Sequence, residues 1–177
     1  RSRHRRKKGV IERAYQTAEA LGIPVWCQDE AGPYQAIPQA GASWQPAGDP
    51  ARRPHEYLRG GAAKLLTLFR PATGEVRACP VTRTTNAILH PWLQQEVAAI
   101  LADLPASDPT ASARRAAAWD WRERALWDLD ALPPVRLLLI WDNLTGQRTP
   151  ALLNWLVARG VWPRCTPLGG SWLNLAE

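Results

Sequence analysis

The stretch "VRLLLIWDNLTGQRTP" (residues 135–150) decides how the rest of the chain is read. Its apolar run, Leu137 to Trp141, has the length and bulk of a buried strand. The run stops on Asp142, followed at once by Asn143. Asp-Asn after a strand is a good turn signal, because both side chains bond nearby backbone. A carboxylate at the end of a buried strand can equally hold a metal ion. Residues 135–150 alone leave both readings open.

Working outward, "PALLNWLVAR" (150–159) reads as a helix closed by Gly160, "VWPRCTP" as a short strand, and Ser171 as the cap of a last helix, "WLNLAE". Upstream, "VIERAYQTAEAL" (10–21) is a helix ended by Gly22 and Pro24, and "VWCQDE" is a strand with Val25, Cys27 and Asp29 on one face. Residues 31–61 are rich in Gly, Pro and Gln, with small strand fragments at most. "AAKLLTLFR", the turn "PATG" and "EVRACPVT" form a hairpin, with Pro71 presetting the turn and Gly74 accepting positive φ. Ile88, Leu89, Trp92, Leu93, Val97, Ile100, Leu101 and Leu104 recur at helical spacing over 86–104. "PASDPTAS" is a loop, and a second helix is expected over 113–130, its Trp119, Trp121 and Trp127 taken as packing surface. An antiparallel hairpin followed by two strand–helix units predicts a mixed α/β sheet with some parallel strands.

The chain has 177 residues, enough for one ordinary core, and 46% of them are apolar. It contains no Met, so it reads as an excised piece of something longer. The formal charge of +6 is local: Arg1, Arg3, Arg5, Arg6, Lys7 and Lys8 hold six of the 22 basic side chains. The 16 left equal the 16 acidic ones, so residues 9–177 sum to zero. The basic run is a solvated end or an arm that touches phosphates. Three scattered cysteines show no zinc spacing and no disulfide framework, which fits a reducing compartment. No signal peptide or lipid anchor is visible, and Leu137–Trp141 is far too short to span a membrane. A soluble, intracellular protein is expected.

In open α/β sheets, ligands gather beyond the carboxyl ends of the parallel strands. Asp29 and Asp142 fall there, and Glu177 lies in the first turns after the last strand. Three converging carboxylates repel unless a cation or a proton resolves the conflict. Hard divalent ions take such oxygen ligands, and two of them about 3.5–4 Å apart clamp both oxygens of a phosphoryl displacement. Candidate phosphate contacts are Arg148, just past the second aspartate, and Arg52, Arg53 and Arg59 in a loop-like segment that also holds His55.

"VWCQDEAGPYQ", "LLLIWDNLTGQRTP" and "CTPLGGSWLNLAE" resemble the three signature blocks of bacterial insertion-sequence transposases of the insertion sequence 630 family, relatives of the mariner elements. The blocks fall in the family's order, residues 143–176 give its spacing of 34 between the last two acids, and the likeness runs through "PHEYLRGGAAKLLTLFRPATGEVRACPV". The resemblance implies an RNase H-like mixed sheet, hairpin plus parallel strands flanked by helices, over residues 9–177, with residues 1–8 as a basic tail or linker and a helical insertion at 105–131. Asp29 and Asp142 would be the metal-bridging pair and Glu177 the third catalytic ligand, for two ions of Mg²⁺ or Mn²⁺. Asn143 and Asn174 would steady those acids, with Trp172 in the core beside them.

The implied activity is hydrolysis of a phosphodiester at a transposon end, then attack of the freed 3′-hydroxyl on target DNA. The implied partners are transposon-end and target DNA, a homodimer in a synaptic complex and no membrane, in the bacterial cytoplasm at the nucleoid. Arg5, Arg6, Lys7 and Lys8 would join the arginines above in holding DNA. Two departures stand out: the family's N-terminal helix-turn-helix region is absent, and the chain ends on Glu177, truncating the last helix. A weak or inactive fragment is therefore expected. Its non-enzymatic counterpart is a remnant that only binds DNA or protein.

Overall fold

The computed structural model describes all residues except 1, 37–40, 42–43, 50–59, 107–108, 117, 119–131, 143–148 and 177, and the side chains of 2–8. Helix α1 spans Ser2–Ala20. It begins well before Val10, because Arg and Lys are strong helix formers and nothing before Gly9 breaks the turn. Ile11, Ala14, Tyr15 and Ala18 make its inner face at spacings of three and four. The helix stops where Gly22 takes φ +60°, with Ile23 N–H donating to the Ala18 carbonyl (2.7 Å) and Gly22 N–H to Glu19 (3.1 Å). That is a Schellman ending, which favours glycine.

Strand β1 runs Val25–Gln35, longer than the sequence suggested, with a register irregularity between Ala31 and Tyr34. Strands β2 (Ala62–Arg70) and β3 (Glu75–Val81) form the expected hairpin, closed by Gly74 at φ +74°. Helix α2 is Asn86–Asp103 and buries Leu89, Leu93, Val97, Ile100 and Leu101. Helix α3 is Pro109–Ala116. It corrects the placement of a helix at 113–130: Pro109, whose missing N–H costs nothing at a first helical position, starts it inside the supposed loop. Trp119, Trp121 and Trp127 lie outside the described residues. Strand β4 (Leu137–Trp141), helix α4 (Pro150–Val157) and strand β5 (Val161–Cys165) follow as expected. Thr149 caps α4 by accepting the Leu152 N–H.

The last element is also a correction. Ser171 does not cap an α-helix: Ser171–Leu173 is a single 3-10 turn, with Asn174 N–H bonded to the Ser171 carbonyl at 2.6 Å. Its bonds are i→i−3, with Leu173 N–H also donating to the Gly170 carbonyl at 3.0 Å.

The five strands lie in the order β3-β2-β1-β4-β5. β1 is antiparallel to β2, and β2 to β3, while β1, β4 and β5 are mutually parallel. This is an α/β chain with a mixed five-stranded sheet, hairpin plus parallel strands, as expected. One face packs on α1: Ile11, Ala14 and Ala18 cover Cys27, Leu138, Ile140 and Trp162. The other packs on α2 and α4: Leu93, Val97, Leu152 and Leu156 cover Trp26, Leu68, Leu139 and Trp141. Among the described residues no helix is long and apolar enough to cross a membrane.

Candidate active site

Backbone register places the two aspartates. Val25 to Gln28 of β1 pair with Leu138 to Trp141 of β4, so the next position on each strand is Asp29 and Asp142. Side chains alternate along a strand. Cys27 and Ile140 both face α1, so Asp29 and Asp142, two residues further on, continue onto that face. Adjacent strands lie about 4.7–4.9 Å apart. Two acids 113 positions apart in sequence are thus neighbours on one face; Asp142 lies just past β4, whereas Asp29, expected to end its strand, lies inside β1, where pairing with β4 stops and pairing with β2 continues.

Each is held by its surroundings. Asp29 Oδ1 accepts the Glu30 N–H at 2.7 Å, and its own carbonyl accepts the Thr67 hydroxyl at 3.0 Å across the β1–β2 pair. Glu30, the next acid along, is engaged differently: its Oε2 lies 3.4 Å from Lys64 Nζ. Asp142 Oδ1 accepts the hydroxyl of Thr166 at 3.2 Å. Thr166 is buried, follows β5 and occupies the register position next to Asp142, since Trp141 pairs with Cys165.

Behind the carboxylates lies a closed polar contact. Tyr15 Oη donates to the Leu173 carbonyl at 3.2 Å and meets Cys27 Sγ at 3.5 Å. Burial, with the Cys27 contact adding to it, pushes the Tyr15 hydroxyl far above the ordinary phenol range. Burial likewise pushes the Cys27 thiol up, against the lowering effect of its hydrogen bonds, and the nearby negative Asp29 adds to the rise. Both groups therefore keep their protons at neutral pH.

The last turn docks onto β1 through Asn174, 2% exposed, whose Nδ2 donates to the Gln28 carbonyl at 2.7 Å. That bond sits one residue from Asp29. Trp172 is not a core residue: it is 58% exposed, and Leu173 is buried in its place. Successive residues of a 3-10 turn are about 120° apart instead of about 100°, which changes the one that faces inward.

Glu177 and Asn143 lie outside the described residues, as do Arg52, Arg53, Arg59 and Arg148. The backbone of Arg5, Arg6, Lys7 and Lys8 is helical, and their side chains are outside the description. Among the described residues no three His, Cys, Asp or Glu side chains cluster as a metal site. The donor set that is described, two carboxylates on one face flanked by a threonine hydroxyl, is all oxygen and suits a hard divalent cation. Sequence reasoning missed Thr166 and Thr67; each is the strand neighbour of an aspartate, a relation visible only once pairing is known.

No family model and no curated protein matches the chain. Among solved structures it is similar to a pre-cleavage Mos1 transpososome, at 14% identity and a TM-score of 0.49, covering 92% of this chain and 42% of that one. It is also similar to the Mos1 strand transfer complex, at 14% identity and a TM-score of 0.45, covering 93% of this chain and 41% of that one. A Mos1 transposase paired-end complex with the left transposon end matches at 15% identity and a TM-score of 0.44, over 89% of this chain and 40% of that one. The chain thus spans about two fifths of the length of the chains it matches.

Proposed function

We propose that this chain is the catalytic part of a DNA transposase of the Asp-Asp-Glu type, resembling the insertion sequence 630 family. The observation that carries the reading is the register: Asp29 and Asp142 fall side by side, on one face, next after the last parallel pair of β1 and β4. Two carboxylates so close repel each other, and without a cation or a shared proton the arrangement is unfavourable. Asp29 and Asp142 would bridge Mg²⁺ or Mn²⁺, with Glu177 as third ligand. Bound there, the ions supply an activated water and neutralise charge on the phosphodiester. The protein's own part is orientation. Thr166 holds one oxygen of Asp142, the Glu30 N–H holds one of Asp29, and Asn174 anchors the segment that leads to Glu177. Hydrolysis at a transposon end and transfer of the 3′-hydroxyl to target DNA is the reaction proposed, in a homodimeric synaptic complex at the bacterial nucleoid. Arg5, Arg6, Lys7, Lys8, Arg52, Arg53, Arg59 and Arg148 are the proposed DNA contacts, and Asn143 would steady Asp142.

The test is nicking of supercoiled DNA by the 177-residue chain in Mg²⁺ or Mn²⁺. Asp29→Asn and Asp142→Asn should each lower the rate by about 1,000-fold, the equivalent of several kcal/mol of charge stabilisation. DNA affinity should change by no more than about twofold, because phosphate contacts position the duplex independently of the chemistry. Thr166→Val, which leaves both carboxylates, should cost about 10-fold. Metal-independent cutting, or full activity in both aspartate variants, overturns the proposal. DNA binding without any cleavage by the unaltered chain would favour an inactive remnant that only binds.

A further inference from the structure

Strand β1 continues past the parallel part of the sheet. Its pairing with β4 stops at Gln28–Trp141, whereas its pairing with β2 runs on through Asp29–Thr67 and Ala31–Leu65 to Tyr34–Ala63 and Gln35–Ala62. Two further backbone bonds extend the pair, from Ala36 N–H to the Gly61 carbonyl (3.1 Å) and from Gly60 N–H to the Ala36 carbonyl (2.8 Å). Among the described residues, the core cluster under α1 includes nothing of β1 beyond Cys27, and Gly32 to Gln35 are exposed. A two-stranded ribbon therefore projects beyond the two aspartates.

Tyr34, 56% exposed, is the aromatic residue of this ribbon, and a bulge decides which face carries it. Asp29 and Tyr34 are separated by an odd number of positions, so strict alternation would put them on opposite faces. The step from Ala31 to Tyr34 on β1 is matched by the shorter step from Leu65 to Ala63 on β2. One extra residue in a strand turns every later side chain over. Cross-strand partners share a face, and Thr67, Leu65 and Ala63 lie opposite to Leu68, which packs toward α2 and α4. Tyr34 thus comes onto the face of Asp29, about 13 Å further along the ribbon. Gly32 makes the bulge possible: its φ is +113°, and an added Cβ would lie 3.2 Å from Tyr34 Cδ2, so the ring rests against the glycine backbone. Between Asp29 and Tyr34 that face carries Ala31, Leu65 and Ala63, none of them charged.

We propose that Tyr34 is a stacking platform for an unpaired nucleobase of the DNA strand whose phosphodiester lies at Asp29 and Asp142. The inference rests on the transposase reading for the position of that strand and adds a contact to it. Every base has a π-face, so an exposed aromatic ring takes any of them. Bases inside a duplex stack on one another and leave no face for the ring, which restricts the platform to unpaired ones. The span of about 13 Å equals at most about four stacked nucleotides at about 3.4 Å each, so base and phosphodiester belong to one short stretch of strand. Gly32, Pro33 and Gln35 beside the ring carry no charge, and the contact is therefore to a base and not to duplex phosphates.

The experiment uses the whole chain at low salt without divalent ions, and reads the anisotropy of a labelled oligothymidine strand and of a labelled blunt duplex. Tyr34→Ala should weaken binding of the single strand about 5- to 30-fold, the range for losing one stacked base. Its affinity for the duplex should change by no more than about twofold, because duplex binding rests on phosphate contacts. Tyr34→Phe keeps the ring and should stay within about twofold of the unaltered chain on both probes. Circular dichroism and the thermal midpoint establish that both variants are folded. Unchanged strand binding by Tyr34→Ala overturns the proposal, and so does an equal loss on strand and duplex. Unchanged strand binding with an altered mass in sedimentation would assign Tyr34 to contact between copies and also overturn it. If Tyr34→Ala binds normally while nicking still depends on Asp29 and Asp142, the platform fails alone and the transposase reading stands.

Discussion

Every residue of β4, Leu137 to Trp141, is buried, whereas in β3 the alternate residues Val76, Ala78 and Pro80 are exposed. The strands belong to one sheet, and the difference is in what covers them. β4 has β1 and β5 beside it, α1 on one face, and α2 and α4 on the other. β3 is an edge strand, and among the described residues the cluster on the α1 side contains nothing from β2 or β3. Parallel strands need both faces covered, while an antiparallel hairpin tolerates one wet face. Both aspartates belong to the covered half, Asp29 within β1 and Asp142 just past β4. The hairpin supplies Thr67 to the Asp29 backbone and otherwise extends the sheet.

If that contrast is real, substitutions should grade along it. Leu139→Ala, at 0% exposure in mid-β4, should cost about 2–5 kcal/mol in a denaturant titration, the range for cavities in a packed core. Gly160→Ala comes next. Gly160 has φ +74°, an added Cβ would collide with the Pro134 carbonyl oxygen, and its own carbonyl accepts the Arg136 N–H at 2.7 Å. A loss of about 1–3 kcal/mol is expected from strain at this joint between α4 and β5. Arg77→Ala should cost about 1 kcal/mol or less. Arg77 ties the hairpin to α2 through Glu96 at 3.4 Å and lies 5.4 Å from the Trp26 ring, but it is partly exposed and screened. Val76→Ala, at a position 60% exposed, should stay within about 0.5 kcal/mol. Equal losses for Leu139→Ala and Val76→Ala would break the comparison.

A pH series sharpens it from the covered side. The buried Cys27 thiol holds its proton more tightly folded than unfolded. Its contribution is therefore fully present below the unfolded thiol pKa of about 8.5 and is lost as pH rises toward the folded value. Unfolding free energy should fall more steeply above about pH 8.5 in the unaltered chain than in Cys27→Ala. Equal slopes would place that thiol in contact with solvent.

The elements that were legible beforehand are those with strong local signals. Pro71 and Gly74 marked the hairpin turn, apolar spacing marked α2, and the uninterrupted run to Trp141 marked β4. The errors fall where local signals are weak or compete. The helix expected from Val10 begins at Ser2, where Arg and Lys favour it, and Ser171 opens a 3-10 turn instead of capping an α-helix. Trp172 looked like core because tryptophan usually is; its place on a 3-10 turn leaves it outside.

Local pattern was also enough to single out Asp29 and Asp142, since each follows a short apolar run, although β1 continues past Asp29 to Gln35. That they share an edge and a face depends on β1 pairing with β4 in parallel, a contact between segments more than 100 residues apart. The same holds for Thr166 beside Asp142. Strand and turn preferences act over a few residues and can be read in order along the chain. Convergence of distant side chains is set by strand order and register, which exist only after the sheet has closed.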